Sequence, residues 1–190
     1  MLGLKYNKIS KLHILPNLIT YINMSLGAVA IFISSNGSPN NIKIAAMLIL
    51  IAGLTDKLDG FTARKLGVAS KFGKELDSLC DTISFGVAPL VLWWNMNNGL
   101  LGIYEILVSL FFIGSGVFRL ARFNVMEEEY IVGLPITIAG MVMGLKHLLD
   151  ISHRFSFVNR AIINIENIII MISLSLLMVS SFKIKKPKIL

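Results

Sequence analysis

The sequence predicts an all-α integral membrane protein, six transmembrane helices with a short N-terminal interfacial segment. Three observations carry that prediction. Hydrophobic residues make up 55% of the 190 residues and charged residues only 15%, whereas soluble domains carry about 25% charged residues. The mean hydropathy is +0.74. Too little polar surface is left to coat a water-soluble globule, and too much apolar surface is present for disorder. The apolar residues also fall into six stretches of about 20 residues, the length a helix needs to cross a bilayer.

The elements follow in order. Residues 1–15 set Lys5, Lys8 and Lys11 among Leu4, Ile9, Leu12, Ile14 and Leu15, a pattern suited to an amphipathic segment in the membrane interface. No small-residue cleavage pattern follows the first apolar run, so the segment does not read as a cleaved signal peptide. The first span is 16–35, with Pro16 expected in its first turn, where a missing N–H is tolerated. Asn36-Gly37-Ser38-Pro39-Asn40 is a turn signal. The second span is 42–66 and the third 72–95, closed by the polar run to Gly99. The fourth is 102–125, the fifth 133–151 and the sixth 161–182. One six-helix domain thus covers 16–182, and 183–190 is left as a basic cytoplasmic tail. Connections are short, and no separate soluble domain, internal repeat or low-complexity tract is expected.

The net charge of +7 is read as topology and attraction to anionic lipid headgroups, not as nucleic-acid binding. With both termini inside, the inner side holds the three N-terminal lysines, then Arg64, Lys65, Lys71 and Lys74. It also holds Arg119, Arg122, and the tail's Lys183, Lys185, Lys186 and Lys188. The outer side holds Lys43, Lys146, Arg154 and Arg160. That imbalance puts both termini in the cytoplasm. The single cysteine, Cys80, excludes an intrachain disulfide and a cysteine-cluster metal site.

The informative residues are those that break the hydropathy. Asp56 and Asp59 lie near the end of the second span, and Asp77 and Asp81 near the start of the third. Spacings of three and four put each pair on one helix face, and the short link between the spans makes an antiparallel hairpin. The pairs can then converge. Ionised carboxylates are expensive in the apolar region and need cations nearby. Hard oxygen donors suit Mg²⁺, Mn²⁺ or Ca²⁺ rather than zinc, and four carboxylates suffice for two ions. The competing reading makes each Asp a solvated helix-end residue. Gly60, Ala63 and Gly73 thin the same surfaces, which suits either close helix packing or a ligand. Arg64, four after Gly60, shares its face.

The full pattern is Asp56-x2-Asp59-Gly60-x2-Ala63-Arg64-x8-Gly73-x3-Asp77-x3-Asp81. It resembles, at all eight positions, the signature of the CDP-alcohol phosphatidyltransferase family of membrane enzymes. Further stretches extend the likeness over about 14–142: Pro16-Asn17 with Thr20, Ser84-Phe85-Gly86, Phe118-Arg119-Leu120-Ala121-Arg122-Phe123-Asn124 and Gly133-Leu134-Pro135. Those resemble the members that use serine, the CDP-diacylglycerol–serine O-phosphatidyltransferases. Lys57, between the first two aspartates, departs from the pattern. It either competes with cations or snorkels away.

The resemblance implies a reaction, with CDP-diacylglycerol and L-serine giving phosphatidylserine and CMP. It implies two divalent cations, Mg²⁺ or Mn²⁺, with Asp56, Asp59 and Asp77 as main ligands. Asp81 becomes the general base that also touches the second ion. Gly60, Ala63, Arg64 and Gly73 are expected at the CDP moiety, with Asn17 and Thr20 adding polar contacts. A homodimer is the implied assembly, and the site lies at the cytoplasmic face of the membrane. Arg119 and Arg122, three apart, share a face and suit a serine carboxylate, with Asn124 near its ammonium. The alternative for the two arginines is positive-inside anchoring. Glycerol 3-phosphate or inositol as acceptor, an archaeal ether-lipid donor, and an ion-coupled transporter are the other readings.

Overall fold

The computed structural model describes residues 2–126, 130–151 and 160–185, with side chains from Ile14 onward in the first of these. Helix α1 spans Leu2–Ser34 and α2 spans Pro39–Lys65. Helix α3 (Lys71–Asp81) runs through a π-helical segment, Thr82–Val87, into α4 (Ala88–Met96). These three pieces form the expected third span. Helix α5 (Ile103–Val125), strand β1 (Tyr130–Val132), α6 (Ile136–Leu149), α7 (Arg160–Val179) and strand β2 (Lys183–Lys185) complete the chain. The two strands pair antiparallel, Tyr130 opposite Lys185 and Val132 opposite Lys183.

Local chemistry explains the boundaries. Ser38 caps α2 by accepting from the Asn41 N–H (3.3 Å), with Pro39 in the first turn. At the other end Gly67 takes φ +65, and the Gly67 and Val68 N–H groups donate to Arg64 O and Ala63 O. That is a left-handed stop that satisfies the last carbonyls. Ser70 then starts α3 by accepting from the Gly73 N–H at 3.0 Å. The five residues between α2 and α3 reverse the chain, but the two helices do not pack closely on one another as the short link implied: α3 lies against α1, and α2 meets the same span further along, at α4.

Several expected boundaries move. No break separates 1–15 from the first span: α1 is continuous from Leu2, and Pro16 lies within it rather than in its first turn. The side chains of 2–13 lie outside the described residues, and so does the expected amphipathic face. The fifth span is shorter than 133–151, because Gly133 has φ +73 and Pro135 is extended, so α6 begins only at Ile136. Its 14 residues rise about 21 Å, less than a bilayer core. The sixth span ends at Val179, and Lys183–Lys185 of the expected free tail is strand β2. Residues 186–190 lie outside the described residues.

Four helical segments among the described residues are long and apolar enough to cross a membrane: Ile14–Ser34, Lys71–Met96, Ile103–Val125 and Ala161–Val179. The 27 residues of α2 are long enough, but Asp56, Lys57 and Asp59 interrupt its apolar run.

Packing follows the helical period. Ile42, Ala45, Ala46, Ile49 and Ala52 form the buried stripe of α2, whose small side chains admit close neighbours. Phe85, Leu92, Trp93, Phe112, Ile136, Met143, Met171 and Met178 fill the rest of the core. The outside of the bundle is apolar too, with Phe32, Leu110, Phe118 and Leu176 exposed, as a lipid-facing surface requires. Lys146, counted above among the outer charges, is nearly buried and paired with Asp150 and with Glu166 (3.2 Å). Its charge is thus largely cancelled where it stands.

Candidate active site

Five helices converge on the aspartates: the middle of α1, the C-terminal part of α2, α3, the last turns of α5 and the start of α6. Helix α2 supplies Asp56 and Asp59 near its C-terminal end, and α3 supplies Asp77 and Asp81. One carboxylate oxygen each from Asp56, Asp59 and Asp77 lies within 4.8 Å of the other two. Oxygens around one hard cation at about 2.0–2.6 Å are separated by comparable distances, so this set fits such an ion. A further observation agrees: Asp77 Oδ1 is buried without a hydrogen-bond partner. Asp81 stands beside Asp56 but outside that group of three. Four ligands were expected; the structure gathers three in one shell and sets Asp81 at its edge.

Helix α1 runs along the pair. The Thr20 hydroxyl donates to Asp59 Oδ2 at 2.8 Å. Asn23, fully buried, donates through Nδ2 to Asp81 Oδ1 at 3.2 Å, and its carbonyl accepts from the Ser84 hydroxyl at 3.1 Å. Asn17 Oδ1 faces Gly73, 3.4 Å from where a Cβ would stand. From α6, the Thr137 hydroxyl reaches Asp81 Oδ2 at 3.4 Å. Asn23 and Thr137 were not anticipated. Asn23 continues the Asn17, Thr20 spacing of three in an apolar span, which was a readable signal; Thr137 gave none.

The rim and the cations divide sharply. Arg64 is exposed and lies over Gly60, its Nη1 3.6 Å from a Cβ built there. Ala63 and Gly73 are half-buried. Lys57 is exposed on the outside of α2. Arg119 is 6% exposed, within electrostatic reach of Asp81 and Asp56, and its Nε has no hydrogen-bond partner. It is therefore the buried cation facing the carboxylates.

Its two expected companions are placed otherwise. Arg122 does not face the aspartates. Nη1 donates to Val179 O (3.1 Å), and Nη2 lies 3.0–3.2 Å from Ser180 O, Met178 O and Val132 O. Asn124 donates to Ser78 Oγ (2.9 Å) and Glu75 Oε2 (3.1 Å), tying α5 to α3. Arg122 Nη1 and Nη2 and Asn124 Nδ2 thus bond to the protein itself, whereas Arg122 Nε and Asn124 Oδ1 are buried without hydrogen-bond partners; the guanidinium fork expected at a serine carboxylate is turned to α7 instead. The reason is their place in the last turn of α5, where carbonyls of α7 and polar groups of α3 are nearest.

The description "CDP-alcohol phosphatidyltransferase" matches residues 13–184. The chain belongs to the CDP-alcohol phosphatidyltransferase family. The family consists of phosphotransferases, and the acidic cluster just described lies within the matched residues. The chain is 37% identical over 180 residues to the archaetidylserine synthase of Methanothermobacter thermautotrophicus, covering 93% of this chain and 71% of that one. It is 36% identical over 151 residues to the CDP-diacylglycerol–serine O-phosphatidyltransferase of Helicobacter pylori, covering 77% and 62%. A Bacillus subtilis protein of the same name is 35% identical over 131 residues, covering 68% and 72%. The alignment to the Helicobacter protein thus takes in less than two thirds of that relative's length.

Proposed function

We propose that the chain transfers a phosphatidyl group from CDP-diacylglycerol to the hydroxyl of L-serine, giving phosphatidylserine and CMP. The observation that carries this is the convergence of Asp56, Asp59 and Asp77 within 4.8 Å, with Asp81 and the buried Arg119 alongside. The names of the relatives support serine as acceptor. Asp56, Asp59 and Asp77 hold divalent cations, Mg²⁺ or Mn²⁺, two in number, with Asp81 available to the second. When bound, they neutralise charge on the diphosphate and on the departing phosphate of CMP.

The chain's own groups do the rest. Arg64, over Gly60, reaches the diphosphate from the rim, and Gly60, Ala63 and Gly73 leave room for the cytidine half beside Asn17 and Thr20. Arg119 binds the serine carboxylate in a water-poor pocket, where a guanidinium fork is strongest. Asp81, held by Asn23 and Thr137, takes the proton of the serine hydroxyl as its oxygen attacks the lipid-side phosphorus. The bond from that phosphorus to the bridging oxygen breaks, and CMP leaves with the electron pair.

We place the site at the cytoplasmic face of the cytoplasmic membrane. Arg64, Lys65, Lys71, Lys74, Arg122 and Lys183 gather at the same helix ends as the aspartates, which supports that side. On this reading α2 and α6 also cross, both termini are inside, anionic lipids surround the basic rim, and the chain works as a homodimer. A second reading keeps the chemistry with an ether-lipid donor, which the archaetidylserine synthase favours. The test is CMP release by purified protein from CDP-diacylglycerol and serine, after chelation and after adding back Mn²⁺ or Mg²⁺. Metal-dependent release with serine is expected. No release with any metal or acceptor defeats the proposal; release only with inositol or glycerol 3-phosphate defeats serine alone.

A further inference from the structure

The stretch Phe118–Asn124 brings two arginines and an asparagine to the end of one helix, yet only Arg119 points at the carboxylates. We propose that Arg122 is a positioning residue: a clip that fixes the ends of α5, α6 and α7 to one another and so sets Arg119 and Thr137 against Asp81. The inference rests on the transfer reaction proposed above, and deepens it by separating binding from positioning in the acceptor half of the site.

Four carbonyls on two segments receive the one guanidinium: Met178, Val179 and Ser180 at the end of α7, and Val132 before α6. The terminal carbonyls of a helix lack partners within it, and a cation there also meets the negative end of its dipole. The clip is reinforced by backbone bonds from Gly133 N–H to Phe182 O (2.9 Å) and from Leu134 N–H to Leu177 O (3.0 Å), and by the β1–β2 pairing. Gly133 belongs to the same device. Its φ is +73, and a Cβ there would collide with Met178 O and stand 2.7 Å from Arg122 Nη2.

Two short levers carry the clip to the chemistry. Arg119 lies one turn before Arg122 on α5, buried near Asp81. Thr137 lies four residues after Gly133, at the start of α6, where it reaches Asp81 Oδ2 and also bonds Asp56. On the opposite side, Lys74 Nζ donates to Phe123 O (2.8 Å) and lies 4.5 Å from the Phe123 ring centre, whose ring also lies 5.3 Å from the Arg119 guanidinium. The last turns of α5 are thus held between α3, through Lys74 and Phe123, and α7, through Arg122, and Arg119 packs on the Phe123 ring within them.

The test compares Arg122→Met, Arg122→Lys, Gly133→Ala and Arg119→Met in purified protein, with KM measured separately for CDP-diacylglycerol and for the acceptor. Misplacing a reacting group by about 1 Å can cost roughly a hundredfold. Arg122→Met and Gly133→Ala are expected to raise the acceptor KM by about ten- to a hundredfold, with the donor KM within threefold of wild type (~0.6 kcal/mol). Arg122→Lys, which keeps a cation for some of the carbonyls, falls between. Amide hydrogen exchange at Gly133 and Leu134 rises in Arg122→Met. Serine against serinamide, which lacks the carboxylate charge, separates the roles. Arg119→Met loses that preference, and the Arg122 and Gly133 variants keep it.

Loss of the preference in Arg122→Met would show that Arg122 itself binds the carboxylate and would overturn the proposal. So would unchanged exchange at Gly133 and Leu134, an unchanged acceptor KM in Gly133→Ala, or donor and acceptor KM rising together. Wild type that uses another acceptor defeats the serine reading only, and the same KM comparison then decides the clip on that acceptor. Wild type that uses none defeats both.

Discussion

Replacing Asn23 with leucine tests whether Asp81 needs its α1 partner. Asn23 is fully buried, and its Nδ2 makes one bond, to Asp81 Oδ1 at 3.2 Å. Leucine keeps the same heavy-atom branching at Cγ with somewhat bulkier methyl groups, so no cavity opens, the hydrogen bond is lost, and thermal unfolding reads any overpacking separately. A hydrogen bond to a charged group contributes about 1.5–3 kcal/mol, and 3.2 Å is at the long end of the N–H···O range, which favours the lower half. If that interaction helps hold Asp81 where the acceptor hydroxyl approaches, kcat falls by roughly ten- to fortyfold. The assay is serine-dependent CMP release at saturating donor, with thermal unfolding in detergent run in parallel. Ser84→Ala is the control: its hydroxyl donates only to the Asn23 carbonyl (3.1 Å), so it should lower stability by about 1 kcal/mol with a much smaller effect on kcat. A kcat within twofold of wild type for a folded Asn23→Leu would refute the reasoning. So would equal losses in the two variants.

The grouping of the aspartates predicts a split. Asp77→Asn, inside the three-residue group, should weaken Mn²⁺ binding by tenfold or more, about 1.4 kcal/mol, whereas Asp81→Asn should keep binding within a few-fold yet lose turnover; the free-Mn²⁺ paramagnetic resonance signal reads binding, and CMP release reads turnover. Gly27→Ala would bring a Cβ within 2.6 Å of Ser84 Cα, and overpacking of this kind costs about 1–3 kcal/mol; a lowered Tm in detergent checks it. Lys57→Gln should leave metal-dependent CMP release within about threefold, because the ammonium is exposed outside the cluster.

The fold was legible where one physical rule dominated. Length and apolarity alone set the helical segments, and a period of three or four placed Asp56 with Asp59 and Asp77 with Asp81. The reversal between α2 and α3 followed from the short link, and Gly67 and Ser70 supply its stop and start. What escaped depends on neighbours distant in sequence. Arg119 and Arg122 have the same side chain and a spacing that suggests one shared role. Only the approach of α7's final carbonyls shows that the second is spent there. Pro16 reads as a helix start because an internal proline is costly in general. In α1 the helix continues through it regardless. The span at 133–151 looked long enough by composition, but Gly133 and Pro135 set the chain for a turn before α6, and hydropathy is blind to φ. Asn23 continues the Asn17 and Thr20 spacing of three, but its role depends on Asp81, 58 residues further along the chain.

The position of Asp81 explains why four similar carboxylates need not share one task. Asp56, Asp59 and Asp77 form the compact oxygen set, with Thr20 of α1 donating to Asp59. Asp81 accepts from α1 through Asn23 and from α6 through Thr137, and has Asp56 of α2 and Arg119 of α5 beside it. It therefore sits on the seam between α1–α3, which carry the other three aspartates and Asn23, and the side chains of Arg119 on α5 and Thr137 on α6. A group that takes a proton from the acceptor while the donor is held by the metals has to stand at that seam, because it must sense both substrates. The Arg122 clip holds the end of α5 and the turn before α6 against α7, so its loss displaces Arg119 and Thr137, the two groups that face Asp81 from the acceptor side, and the acceptor KM is the quantity that should register it first.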